Sequence, residues 1–367
     1  MEGPRGRSAG SLAPGKLYAV GPAVISTGGA VANTGIPLHR LGLPVRLLGK
    51  VGDDLFGQAI LEILRAHGRE LAGSMIVSRG ATTSYTVVIN PPGVDRTFLH
   101  CPGANDTFCA ADVADSSLAG CRLLHFGYPP LMRRMYADGG RELQRLLARA
   151  KRLGLTTSLD MAMPDPNSQA GRCDWPAILA GVLPHVDFFL PSLEEMIQML
   201  GWKPAGSSVD GVLLGRVADK LLHWGAAAVV LKLGNDGLYL KTTACRARLA
   251  ACGAAAPEAG AWLAREMLSP CFRVKVAGTT GAGDCAIAGF LAAVVKRLSP
   301  EQAATAAVAV GACNVERPDA SSGIVSWMQV QRRIRSGWKR LAVSVQLHGW
   351  RYDRRAGVWA SPRDGDD

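Results

Sequence analysis

The sequence predicts an α/β protein with a mainly parallel, doubly wound sheet, helices on both of its faces, and a small β-sheet standing off it. Three observations predict this class. Short apolar runs alternate with segments of helical periodicity along most of the 367 residues, the pattern of successive βα units. Two glycine turns, Ser26 to Gly35 and Val276 to Asp284, lead straight into helices, and ligands of such sheets bind where strands end and helices begin. Between residues 82 and 108 the alternation gives way to two extended segments around Pro91-Pro92-Gly93, a hairpin signal. The length suits one large α/β domain or two smaller ones, and a 48% hydrophobic content supplies the core that stacked layers need.

Taken in order, residues 1–16 are rich in Gly, Pro, Ser and Arg and are expected to be poorly ordered. Leu17 to Ile25 reads as a short apolar strand, and the turn at Gly28-Gly29 opens a helix through Leu41 that Gly42 ends. Pro44 to Val51 reads as a strand and Gly52-Asp53-Asp54 as the turn after it. Leu55, Ile60, Leu61 and Leu64 share one face of a helix from Leu55 to His67. In the hairpin, Thr83, Tyr85, Val87 and Ile89 line one face, Arg96 to His100 returns, and Gly103 to Asp106 leads back to the main sheet.

Alternation then resumes. Strands are expected at Arg122 to Phe126, Thr156 to Asp160, Val186 to Leu190 and Ala228 to Leu233. Helices are expected at Pro130 to Leu153, Trp175 to Leu183, Ser192 to Leu200 and Gly211 to Trp224. Gly234-Asn235-Asp236-Gly237 turns the chain into a strand at Leu238 to Lys241, and the pattern leaves the form of the Ala-rich stretch Ala244 to Pro270 open. Helices follow at Cys285 to Val295 and at Pro300 to Val315, whose Ala and Gly content permits close packing. The division is thus a leading segment 1–16, a main domain 17–344 with its hairpin at about 82–108, and a tail 345–367.

Composition narrows the function. No run approaches the ~18 apolar residues of a membrane span, and the basic N-terminal segment lacks the apolar stretch of a secretory signal. A cytoplasmic protein without membrane partners is the expectation. Nine cysteines, with no C-x-x-C and no Cys/His spacing of a metal site, fit reduced thiols. The net charge of +11 suits an anionic ligand. The basic bias between Arg332 and Arg355 comes with no nucleic-acid-binding motif and reads as a solvated face.

The chemistry concentrates in Val276-Ala277-Gly278-Thr279-Thr280-Gly281-Ala282-Gly283-Asp284. Its glycines permit a tight turn, and the helix that follows offers free N–H groups and the positive end of its dipole to a phosphate. Asp284 has two readings. A carboxylate in a first helical turn is an ordinary cap, and it is also where a general base for phosphoryl transfer would stand.

Five segments in order, GGAVANTGIPLHRLG at 28–42, GKVGDDLFG at 49–57, PSLEE at 191–195, LKLGNDG at 231–237 and GTTGAGD at 278–284, resemble the ribokinase or phosphofructokinase-B (PfkB) family of carbohydrate kinases. The resemblance covers roughly residues 18–325 and puts the hairpin in the place of that family's lid. It implies a three-layer α/β/α ribokinase-like fold and transfer of the ATP γ-phosphate to a hydroxyl of a small sugar-like substrate, with magnesium. It also implies a homodimer through the lid.

Carried over residue by residue, Asp284 matches the family's catalytic base and Gly281, Ala282 and Gly283 its anion hole. Thr279 and Thr280, leading into that turn, fall on the nucleotide side. Gly28 and Gly29 match the paired glycines against which substrate lies, and Asn33 matches a residue that binds substrate hydroxyls. Glu195 falls where a glutamate positions magnesium through water, with Ser192 in place of the usual Asn. Gly234 and Gly237 match the glycine pair near the nucleotide phosphates, with Lys232 where threonine is commoner. Asn105 and Asp160, at strand ends facing the same cleft, are assigned to substrate.

Two positions depart from the family pattern. No acidic residue lies between Glu2 and Asp53, where the family carries an aspartate on its first strand that grips substrate hydroxyls; either the chain begins inside the usual fold or the grip comes from elsewhere. Gly278 stands where the family often has an aspartate near a monovalent cation, so strong potassium activation is not expected. The alternatives kept beside the sugar kinase are a nucleoside kinase of the same fold and a non-catalytic sugar or nucleotide sensor.

Overall fold

The computed structural model describes residues 15–89, 97–202 and 208–365. The strands are β1 (Lys50–Gly52), β2 (Ile76–Ser78), β3 (Tyr85–Ile89), β4 (Thr97–Cys101), β5 (Leu123–Phe126), β6 (Thr156–Leu159), β7 (Phe188–Phe189), β8 (Ala228–Lys232), β9 (Leu238–Thr242), β10 (Glu266–Ser269), β11 (Arg351–Asp353) and β12 (Val358–Ala360). The helices are α1 (Gly29–Arg40), α2 (Leu55–His67), α3 (Asp115–Leu118), α4 (Arg133–Arg152), α5 (Trp175–Val182), α6 (Leu193–Met199), α7 (Gly211–His223), α8 (Arg246–Ala250), α9 (Ala259–Trp262), α10 (Ala282–Val295), α11 (Pro300–Val315) and α12 (Trp327–Arg335).

Among the described residues the main sheet has eight strands in the order β11-β12-β10-β9-β8-β7-β6-β5. It is mixed: β5 to β8 pair in parallel, whereas β8-β9, β9-β10, β10-β12 and β12-β11 pair antiparallel. Successive side chains feed opposite faces, as strand geometry requires. Val229, Leu231 and Phe189 join a core with α4, α5 and α7, through residues such as Leu147, Val182 and Leu221. Ala228, Val230 and Phe188 join a second core with α10 and α11, through Phe290, Leu291 and Val310. These two cores make the three layers. Close packing of α10 on α11 depends on Gly289, where a Cβ would lie 2.6 Å from the Ala306 carbonyl oxygen.

The hairpin forms as β3-β4, with Tyr85 opposite Cys101 and Ile89 opposite Thr97. Its turn at Pro91 to Gly93 lies outside the described residues. Val87, Val88, Phe98 and Leu99 are exposed, so both faces of this ribbon meet solvent. Asp54 ties it to the body, accepting from the Thr83 N–H at 2.8 Å and from the Thr83 hydroxyl at 2.6 Å while it caps α2 through the Gly57 N–H.

Several expectations are corrected. Leu17 to Ile25 is not a strand: no secondary structure forms there, and Leu17, Val20 and Val24 are 100%, 87% and 90% exposed. Apolar composition does not make a strand without a partner, and Pro22 lacks the N–H a ladder needs. Of Pro44 to Val51 only the last two residues enter β1, which pairs with β2. The helix expected from Pro130 to Leu153 is broken: Asp138, Gly139 and Gly140 have positive φ, and a Cβ on Gly140 would come 2.8 Å from Ile178 Cγ2. The stretch Ala244 to Pro270 holds α8, α9 and the central strand β10. The tail 345–367 is joined to the sheet through β12, which pairs with β10 and buries Val358. Residues 1–14, within the leading segment expected to be poorly ordered, lie outside the described residues; Gly15 and Lys16 are exposed.

Candidate active site

The carboxyl ends of β5, β6, β7 and β8 point the same way because the four strands are parallel, and the loops after them bring their side chains together. Asp160 directly follows β6, Ser192 and Glu195 follow β7, and Lys232 ends β8. The start of α10 closes the group from the other side. Lys232 Nζ lies 2.5 Å from Asp160 Oδ1, and a Cβ on Gly283 would be 3.8 Å from the same ammonium. The lysine expected at the nucleotide phosphates is therefore paired with a carboxylate, beside the glycine turn.

The turn itself requires its glycines. Gly281 precedes α10 with φ 72, and a Cβ there would lie 2.7 Å from the Ala320 carbonyl oxygen. A Cβ on Gly278 would approach Pro318 Cα to 2.9 Å. Asn314, fully buried on α11, donates to the Thr280 carbonyl at 2.8 Å and fixes the loop from below. Thr279 and Thr280 themselves are exposed. Ala282, Gly283 and Asp284 form the first turn of the helix, whose N–H groups have no acceptor within it by position.

Asp284 is 5% exposed. The Tyr128 hydroxyl donates to it, 2.6 Å from Oδ1 and 2.7 Å from Oδ2. Asn33 Nδ2 donates to Oδ2 at 3.3 Å, and the Thr34 hydroxyl lies 3.5 Å from Oδ1. Both come from α1, which Gly28 and Gly29 open with extended backbone at the first and φ 74 at the second. Burial pushes the Asp284 carboxyl above its usual range, against the opposing pull of Tyr128, Lys232, Asn33 and Thr34.

Burial pushes Asp160 up to about 8, opposed by Lys232 and reinforced by Glu195 and Asp284. Burial works against the Lys232 ammonium, but Asp160, Glu195 and Asp284 outweigh it and its proton is held more tightly than usual. His125, on β5, is pushed down to about 3 by burial and by Lys232, and so stays neutral with Nδ1 3.0 Å from the Ser158 hydroxyl.

Glu195 and Ser192 form a reciprocal cap on α6. The Ser192 N–H donates to Glu195 Oε2 at 2.7 Å, and the Ser192 hydroxyl accepts from the Glu195 N–H at 3.2 Å. Ser192 thus keeps the capping half of its position. Gly234 and Gly237 shape the β8-β9 turn; Gly237 has φ 102 and a Cβ there would meet the Ser269 carbonyl oxygen at 2.1 Å, whereas Gly234 is open to solvent. Asn105 sits in a 3-10 turn, Gly103–Thr107. The structure therefore gathers Asn33, Asp160, Glu195, Lys232 and Asp284. Sequence reasoning missed Tyr128 and Thr34. The only signal for Tyr128 was its place in Phe126-Gly127-Tyr128-Pro129, just past the end of an apolar strand.

Residues 8–327 match the sequence model of the pfkB family of carbohydrate kinases. The chain belongs to this family. It is thus a sugar kinase, a phosphotransferase acting on a sugar hydroxyl. Among its relatives, the 2-dehydro-3-deoxygluconokinase of Bacillus subtilis is 26% identical over 306 residues, covering 78% of this chain and 82% of the relative. The ribokinase of Schizosaccharomyces pombe is 24% identical over 287 residues, 77% of each. A solved fructokinase with bound ATP from Xylella fastidiosa shares the fold, with a TM-score of 0.66 at 20% identity over 84% of this chain and 90% of that one. So does an Arabidopsis thaliana ribokinase complexed with ribose and ATP, with a TM-score of 0.63 at 18% identity, covering 83% and 86%. Among the described residues no helix is long and apolar enough to cross a membrane.

Proposed function

We propose that this kinase transfers the γ-phosphoryl group of ATP to one hydroxyl of a small sugar-like substrate, with Asp284 as general base and the 281–283 turn as anion hole. The observation that carries this reading is the placement of Asp284 itself: a buried carboxylate with a raised proton affinity, in the first turn of α10, at the mouth of the parallel strands. A base poised above the ordinary carboxylate range accepts a hydroxyl proton more readily.

The substrate hydroxyl gives its proton to Asp284 as its oxygen bonds to the γ-phosphorus, and the bond from that phosphorus to the oxygen of departing ADP breaks. Negative charge on the phosphoryl oxygens meets the N–H groups that begin α10, among which the Ala282 N–H turns from the Thr279 carbonyl, 3.2 Å away, to join. Lys232 adds a fixed positive charge beside Gly283. Among the described residues Asp160 Oδ2 is buried without a partner, and a sugar hydroxyl, which can both donate and accept, pairs with it in either protonation state. Among the described residues no three His, Cys, Asp or Glu side chains gather around a metal site. One Glu195 oxygen is engaged by Ser192, which leaves the other to hold water on a magnesium ion that comes with the ATP phosphates. Such an ion would supply charge neutralisation to the phosphates during transfer.

A coupled ADP-release screen of pentoses, hexoses, their acids and nucleosides, with magnesium and ATP, tests the reading. Sugar-dependent ADP release is expected for at least one carbohydrate. Binding of sugars by calorimetry with no turnover across the panel would overturn it in favour of a sensor.

A further inference from the structure

Tyr128 follows β5 in a left-handed conformation, φ 65 and ψ 42, which residues other than glycine hold only where their surroundings impose it. Those surroundings are specific. Gly127, just before Tyr128, lies against α1, where a Cβ would come 2.2 Å from Ala30 Cβ. The consequence is the aim of the phenol. Its oxygen is closer to each oxygen of Asp284 than are the polar groups of Asn33 and Thr34.

We propose that Tyr128 is a positioning residue for this base: its hydroxyl, shared between both oxygens of Asp284, aims the carboxylate and stabilises its ionised form, and the incoming substrate hydroxyl replaces one of these two contacts. The proposal rests on the reading of Asp284 as the base. A phenol carries one proton and donates to one oxygen at a time, so the second oxygen is held only by the longer contact from Asn33 or Thr34. That oxygen receives the substrate's hydroxyl proton.

The other titratable groups facing Asp284 are Lys232, whose charge favours the carboxylate, and Asp160, whose ionised form opposes it. Its neighbour on α10, Cys285, is pushed well above its usual range by burial and stays a neutral thiol. The Tyr128 hydroxyl is itself pushed well above 10 by burial and by Asp284, and so remains a donor through any practical assay range.

The test compares wild type with Tyr128→Phe in two readouts on the full chain. One is kcat/KM against pH with the sugar that supports turnover; the other is the carbon-13 titration of the Asp284 carboxyl, identified by its loss in Asp284→Asn. Losing the hydroxyl removes a hydrogen bond to the ionised form, so both the acid limb and the titration are expected to move up by about one pH unit. Below the limb the rate falls about tenfold, with the KM for ATP unchanged. A tyrosine that only packs would lower the rate at every pH and move neither, and that result overturns the proposal. Should Tyr128→Phe fold poorly, 3,5-difluorotyrosine at position 128, a stronger donor of nearly the same size, is expected to move both readouts down. Turnover persisting in Asp284→Asn would instead defeat the base assignment, whereas the titration still decides whether Tyr128 holds the carboxylate.

Discussion

Lys232 Nζ and Asp160 Oδ1 meet at 2.5 Å across the ends of β8 and β6, one side chain 16% exposed and the other 1%. Removing one member of a buried pair typically costs about 3–5 kcal/mol because the other charge is stranded. Asp160, already pushed up to about 8, escapes by taking a proton. Lys232→Met is therefore expected to lower stability by less than about 3 kcal/mol in urea unfolding and to lower kcat by about 10²–10³, the scale of a lost transition-state donor. Adding Asp160→Asn should restore stability and leave kcat low.

Asp284 is a stability liability at neutral pH. Its folded-state proton affinity is raised by burial, so its stabilising contribution is present in acid and lost as pH rises through the folded value. Asp284→Asn is accordingly expected to unfold at a higher temperature than wild type near pH 8. The difference should shrink as pH falls toward 4, as measured by calorimetry across that range.

Gly289 is the contact point of α10 and α11. Gly289→Ala gains helix propensity but drives a Cβ toward the Ala306 carbonyl, and overpacking of this kind costs about 1–3 kcal/mol. Denaturant midpoints read the sign directly: a more stable variant would mean that the helices can part without loss.

Asn314 ties the Thr280 carbonyl to α11. Asn314→Ala is expected to cost about 1–2 kcal/mol, the scale of a lost buried hydrogen bond, and to raise the KM for ATP by loosening the turn proposed above to receive its phosphates. Equal KM values in the two proteins would show that the loop keeps its shape without the tether.

Much of this was legible in the residues. Leu55–His67 and Pro300–Val315 appear at their expected bounds, where Asp54 and Ser299 cap them. Asp284, Asn33, Lys232 and Glu195 were named through the family resemblance and Asp160 from its strand end; Asp160, Glu195 and Lys232 follow parallel strands, while Asn33 and Asp284 come from the starts of α1 and α10. What failed to show had physical reasons. Strand β10 hides its pattern because Glu266 is buried and takes the Tyr239 hydroxyl at 2.8 Å. The break in α4 depends on Gly140 lying against Ile178, a tertiary contact. Leu17 to Ile25 has strand composition, yet composition does not supply a partner. Tyr128 belongs to no periodic face and gains its role only through a left-handed turn that places it over a residue 156 positions away.

Asp284 is proposed to accept the proton of the attacking hydroxyl. Rapid-mixing single-turnover measurement of ADP formation in Asp284→Asn, with ATP and sugar binding checked by calorimetry, tests it most directly. Both ligands are expected still to bind, with the transfer rate falling by about 10²–10⁴, the contribution of general base catalysis. A rate within a few-fold of wild type would make Asp284 a helix cap and contradict it.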